Sequence, residues 1–141
     1  MYEITSQVLR VKEASQIKIC TPNDVKEALP DNGYLAQEAF SILTINAKNY
    51  MIEKHMITLG LVDASLVHPR EVFTKAILDQ AMAVVLVHNH PSGDPTPSFE
   101  DIKITKKMIE AGNILEIKVQ DHIIMTHDKW LSMREKGLCN F

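Results

Sequence analysis

"VHNHPSGDPTPSFED", residues 87–101, sets two histidines, two aspartates, one glutamate, two serines and three prolines directly behind an apolar run. That run, "AMAVVLV" at 81–87, is apolar on both alternating faces, the pattern of a central strand covered on both sides. In an extended chain residues i and i+2 point to the same side, so His88 and His90 leave the strand's end together. Pro91 cannot donate to a sheet ladder and ends the strand, and "SGDPTP" is turn chemistry throughout. The chain then returns over the strand's end, where Ser98 opens a helix that carries Asp101 in its first turn.

Two imidazoles on a strand thus face a carboxylate on a helix N-terminus. Two neutral histidines and one carboxylate, with a fourth position left for water, is the ligand count of a catalytic Zn²⁺ site; a structural site needs four protein ligands. Each half has an ordinary reading as well. Ser98-x-x-Asp101 alone is a plausible capping box, and His-x-His alone is as well explained by two surface histidines at a strand end. Their conjunction, H-x-H, seven residues, S, two residues, D, is far more specific. Asp94 and Glu100 are rival carboxylates, but Asp94 lies in the turn as a local hydrogen-bonding residue, and Glu100 points about 100° away from Asp101 on the helix. The contiguous letters H-N-H do not make an HNH nuclease, whose residues are spread through a larger motif.

Working outward, "TPNDVKEAL" gives a helix start with Thr21 as N-cap, Pro22 at the first position and Asp24 three residues after the cap, and Pro30 with "DNG" ends it. Residues 3–12 alternate as a strand. "AFSILTINA" and "YMIEKHMITL" read as a hairpin around "KN". Pro69 opens a helix, "PREVFTKAILDQ", with Val72, Phe73, Ala76 and Ile77 on one face. The helix from Ser98 carries Ile102, Met108 and Ile109 on one side and stops at Gly112-Asn113. "LEIKV" and "HIIMT" read as two short strands and "KWLSMREKGL" as a final helix. Strands interleaved with helices make a mixed α/β domain, a central sheet flanked by helices.

The 141 residues fit one domain, residues 1–141, and 45% hydrophobic with 23% charged residues is ordinary for a globular protein. A net charge of −3 gives no general attraction to phosphate backbones. There is no signal-peptide pattern and no uninterrupted apolar stretch of about eighteen residues, so the expected location is cytoplasmic, with no membrane partner. Cys20 and Cys139 have no C-x-x-C spacing and read as free thiols.

"HNHPSGDPTPSFED" resembles the JAMM motif of the JAB/MPN metalloprotease superfamily, and its Pro-Ser-Gly and Pro-Ser details are those of the bacterial RadC family. "LVHPREVFTKAIL" and "DHIIM" also resemble RadC, so the likeness runs over roughly 21–141. It implies a JAB/MPN fold, of cytidine-deaminase-like type, with one Zn²⁺ per chain held by His88, His90 and Asp101. It also implies that Ser98 helps to hold the oxyanion or its water, and that an upstream glutamate is general base and acid. Glu38 corresponds best; Glu71, in "HPREVF", is the alternative, although an acid in a helix's first turn is already explained by the macrodipole. Glu38 has an ordinary solvated reading too, but if the strand already runs from 38, parity puts it beside Phe40 and Ile42. Two departures stand out. Longer RadC proteins carry a helix-hairpin-helix-like segment ahead of this domain, while twenty residues precede Thr21 here, which predicts a short form without it. Leu61 follows Gly60 where the family commonly has Thr.

Three functions compete. The first is a zinc hydrolase cutting an amide or isopeptide bond in a peptide or isopeptide-linked protein. The second is a DNA-associated accessory protein, implied by the family's DNA-repair label; Lys103, Lys106 and Lys107 offer it a small basic patch, but the net charge gives it no support. The third is a metal-binding scaffold without turnover. His68 and His122 are candidates for a place near the cleft, with a structural or surface role the favoured reading of each, and His55 and His127 carry no signal.

Overall fold

The computed structural model describes residues 16–60 and 66–141. The strand expected over 3–12 lies outside them. Helix α1 (Pro22–Ala28) leads through a short 3-10 turn at Asn32–Tyr34 into the hairpin β1 (Ala39–Ile45) and β2 (Met51–Leu59). Then follow α2 (Pro69–Leu78), β3 (Ala83–Asn89), α3 (Phe99–Leu115), β4 (Lys118–Met125) and β5 (Trp130–Ser132). The five strands form one mixed sheet in the order β2-β1-β3-β4-β5. β3 and β4 are parallel across the α3 crossover, and the other neighbours are antiparallel.

β3 sits in the centre, buried at every position. Its Val84 and Leu86 join Phe40 and Ile42 against Val72, Phe73 and Ala76 of α2 and Ile104 and Met108 of α3. Its Val85 and Val87 join Leu43, Ile45 and Ile123 against Val25 of α1. Coverage on both faces is why this segment reads as an unbroken apolar run. It also fixes which way the strand's end points: His88 continues the Val84-Leu86 side, toward α2 and α3, and Asn89 the other.

Four sequence-based expectations are corrected. α3 runs through Gly112-Asn113 and stops at Glu116, which takes the left-handed conformation (φ 57°). Gly112 is a contact glycine rather than a stop: a Cβ there would lie 2.5 Å from the Ile117 carbonyl and 3.3 Å from Phe73. "LEIKV" and "HIIMT" are parts of one strand, β4. The register passes from Val84↔Val119 to Val85↔Asp121, so Gln120 is an extra residue in a bulge, where polarity had read as a break. The C-terminal "helix" is instead β5, followed by turns. Asp121 takes hydrogen bonds from Ser132 Oγ (2.5 Å) and the Arg134 N–H (3.0 Å), which ties this segment to the sheet edge. Finally, Ile77 is 54% exposed rather than part of the α2 core face. No helix among the described residues is long and apolar enough to cross a membrane.

Candidate metal centre

Strand β3 delivers His88 and His90 on one side, and the turn at 91–97 folds back so that α3 starts above them. His90 N–H still bonds the Met125 carbonyl at 2.8 Å, carrying the parallel pairing of β3 and β4 one residue past the strand. Asp94 closes the turn: its carboxylate accepts the Thr96 N–H at 2.9 Å, and its carbonyl meets His90 Nδ1 at 2.8 Å. That contact orients the His90 ring with Nε2 toward the site.

Helix α3 begins with a complete capping box. Ser98 Oγ accepts the Asp101 N–H at 3.1 Å and Asp101 Oδ2 accepts the Ser98 N–H at 2.8 Å. The same carboxylate faces both histidines. Its Oδ2 is 3.1 Å from His90 Nε2, and its Oδ1 is 3.1 Å from His88 Nδ1. Glu38, one residue ahead of β1, places Oε2 3.9 Å from His88 Nε2. Glu38, His88 and His90 each offer a ligand atom, all within 4.8 Å of one another, a group able to hold a metal ion. Four side chains from three separate segments therefore converge. Glu71, the rival glutamate, is exposed in the first turn of α2.

The electrostatics follow from this crowding. Burial alone would raise the Asp101 pKa, but the contacts from His88, His90 and the Ser98 N–H outweigh it and hold the carboxyl well below the usual carboxylate range. The Asp101 contact is the main cause raising His90. His88 is 1% exposed, and neither of its ring nitrogens makes an aligned hydrogen bond; the Asp101 approach at 3.1 Å lacks the required geometry. A buried imidazole that faces carboxylates on both nitrogens without an aligned hydrogen bond is costly unless something binds there. Two imidazole nitrogens with carboxylate oxygens is a donor set that suits zinc, and these residues fit such an ion.

Sequence reasoning assigned His122 to a structural or surface role and gave Thr105 and Asn89 none. His122 is wholly buried, with its ring 6.2 Å from that of His88. Thr105 Oγ1 donates to the Asp101 carbonyl at 2.6 Å and meets His122 Nδ1 at 2.6 Å, so that nitrogen carries the proton. Burial, then repulsion from His88, pushes the His122 pKa down to about 3. It is a neutral brace beneath the site. The available signal was parity: His122 alternates with Ile124 on a strand, and Thr105 follows Asp101 by one helical turn. His68 caps α2 by position without a side-chain hydrogen bond. His55 bonds Asp79 at 2.6 Å, at the C-terminal end of α2. Lys103, Lys106 and Lys107 are all exposed on α3, and both cysteines are free.

Comparison with known proteins agrees with this architecture. The family of RadC-like JAB domains matches residues 19–138. A UPF0758 protein of Caldanaerobacter subterraneus subsp. tengcongensis is 43% identical over 140 residues, covering 99% of this chain and 60% of its own length. UPF0758 proteins of Listeria welshimeri and Bacillus cereus are 44% and 42% identical, each over 96% of this chain and 61% of their own. The chain thus spans about 60% of the length of the curated relatives it matches. With the motif, the mixed sheet and these matches in agreement, the chain belongs to the RadC family of JAB domains.

Proposed function

We propose that this domain is a zinc-dependent hydrolase of the JAMM type, cleaving an amide or isopeptide bond in a peptide or isopeptide-linked protein, with His88, His90 and Asp101 as ligands. The observation that carries the reading is the setting of His88: a buried imidazole whose Nδ1 lies 3.1 Å from Asp101 Oδ1 and whose Nε2 lies 3.9 Å from Glu38 Oε2, with neither contact an aligned hydrogen bond. Zinc, when bound, would acidify a water toward a pKa of about 7 and polarise the scissile carbonyl. Asp101 is the better third ligand because it touches both histidines, is 1% exposed and stays ionised. Glu38 is left for proton transfer: partly exposed and on the histidine side, it takes a proton from the attacking water and returns it to the leaving amine. Ser98 accepts the Asp101 N–H on its oxygen, which leaves its hydroxyl proton to donate to the developing oxyanion.

The test begins with zinc content in protein purified without a His-tag. Wild type should hold about one zinc per chain, and His88→Ala and Asp101→Ala should hold little. A peptide and isopeptide library then supplies the activity readout, with Glu38→Gln, zinc-loaded, as the inactive control. Turnover that survives in zinc-loaded Glu38→Gln removes Glu38 from the chemistry. Zinc at stoichiometry without any cleavage across the library favours the scaffold reading.

A further inference from the structure

Asn89 stands between the two histidines in sequence and on the opposite side of β3 from them. It is 0% exposed. Its Oδ1 accepts the Ala39 N–H at 2.6 Å, and its Nδ2 donates to the carbonyls of Gln37 at 2.8 Å and Leu35 at 3.3 Å. The β1–β3 ladder ends at Phe40↔His88. Beyond that pair the asparagine amide takes over from the strand backbone, bonding three groups of the segment that leads into β1.

Glu38 lies in this segment, outside any regular element. The peptide that joins it to Ala39 is held at both ends: the Glu38 carbonyl accepts the Gly60 N–H at 2.7 Å, and the Ala39 N–H goes to Asn89. The Gln37 carbonyl, in the peptide that enters Glu38 from the other side, is the second Asn89 contact. Asn89 therefore fixes the peptides on both sides of the Glu38 Cα. A side chain meant to transfer a proton needs this, because a misplacement of about 1 Å can cost about 100-fold in rate.

We propose that Asn89 is a positioning residue for Glu38, so that one strand end sets both the metal ligands, through His88 and His90, and the proton-transfer group, through the residue between them. The inference rests on the reading of Glu38 given under Proposed function. Only a carboxamide supplies an acceptor and two donors in one plane. Aspartate keeps the acceptor and loses both donors; serine is too short to bridge the segment.

The test reads Glu38 without needing a substrate. Protein carrying ¹³C at the glutamate side-chain carboxyls is titrated with zinc, and the Glu38 resonance is assigned from its absence in Glu38→Gln. In wild type this resonance moves on zinc addition. In Asn89→Ala and Asn89→Asp zinc is still taken up at the same stoichiometry, the Glu38 response is lost, and in Asn89→Ala the Ala39 amide exchanges at least about tenfold faster. A merely structural asparagine would lower the melting temperature and leave the Glu38 response intact, which overturns the assignment. A wild-type Glu38 that ignores zinc refutes the general-base reading itself and takes the inference with it. Should both variants fail to fold, the wild type decides: an Ala39 amide exchanging as fast as an unstructured one, or a Glu38 resonance that ignores zinc, overturns the assignment, and a protected Ala39 amide together with a Glu38 resonance that moves on zinc addition upholds it.

Discussion

Helices α1 and α3 begin with the same device and put it to different use. Thr21-Pro22-Asn23-Asp24 and Ser98-Phe99-Glu100-Asp101 both form complete capping boxes. In both, one carboxylate oxygen accepts the N–H of the cap residue, at 2.7 Å for Asp24 and 2.8 Å for Asp101. In both the acid's pKa is lowered. Asp24 is lowered chiefly by the backbone N–H groups of Cys20 and Thr21, at the surface. Asp101 is lowered against the effect of burial, by two histidines. One turn further on, α1 has Ala28 packed on the core and α3 has Thr105 bonded to His122. The local code is therefore the same, and the strand end beneath it makes one box a cap and the other a cap with a second, buried role.

The largest expected effect comes from breaking the second role. Asp101→Ala should lower zinc affinity more than about 100-fold, since even outer-sphere losses cost about 10–100-fold, whereas Asp24→Ala should leave zinc binding unchanged. Metal titration with a chromophoric chelator compares the two, and equal affinities would make Asp101 a cap only. Thr105→Val comes next. It removes the hydroxyl that receives the His122 Nδ1 proton in a fully buried setting, so it should destabilise the fold by about 1–3 kcal/mol in urea unfolding. A neutral result would mean that His122 finds another partner.

Replacing the two cap residues is a finer test. Ser98→Ala and Thr21→Ala should each cost about 1 kcal/mol of stability, but only Ser98→Ala should also slow cleavage once a substrate is found. Matching stability losses with no difference in turnover would remove Ser98 from oxyanion binding.

Both boxes were legible in the sequence, because a cap is fixed by residues three apart. The convergence of His88, His90 and the Asp101 helix was legible from strand parity and a turn too polar to be anything else. What escaped was set by partners distant in sequence. Gln120 looks like a break until β3 shows it to be a bulge. Trp130-Leu131-Ser132 has a helical look that the free edge of β4 and the carboxylate of Asp121 override. Asn89 was set aside with the spelling H-N-H, since its three acceptors and donors lie about fifty residues upstream. Glu38 needed the family resemblance to be singled out, and its place 3.9 Å from His88 follows from the β1–β3 register.

The smallest expected effect isolates the surface box by pH. Asp24 has a folded pKa below its ordinary value of 3.8, because the Cys20 and Thr21 N–H groups favour the ionised form. A depressed carboxylate pKa contributes stability that is fully present above the unfolded value and is lost as pH falls through the folded one. Wild type should therefore exceed Asp24→Asn by a constant margin above about pH 5, no more than about 1 kcal/mol for an exposed cap. Below about pH 4 the margin should shrink as protonation of the wild-type side chain converts it to a neutral acid. Urea unfolding of zinc-free protein at a series of pH values measures the margin directly. If it stays constant on going to pH 3, the box at α1 works by its hydrogen bonds alone, without help from charge, and ionisation would then separate the two boxes.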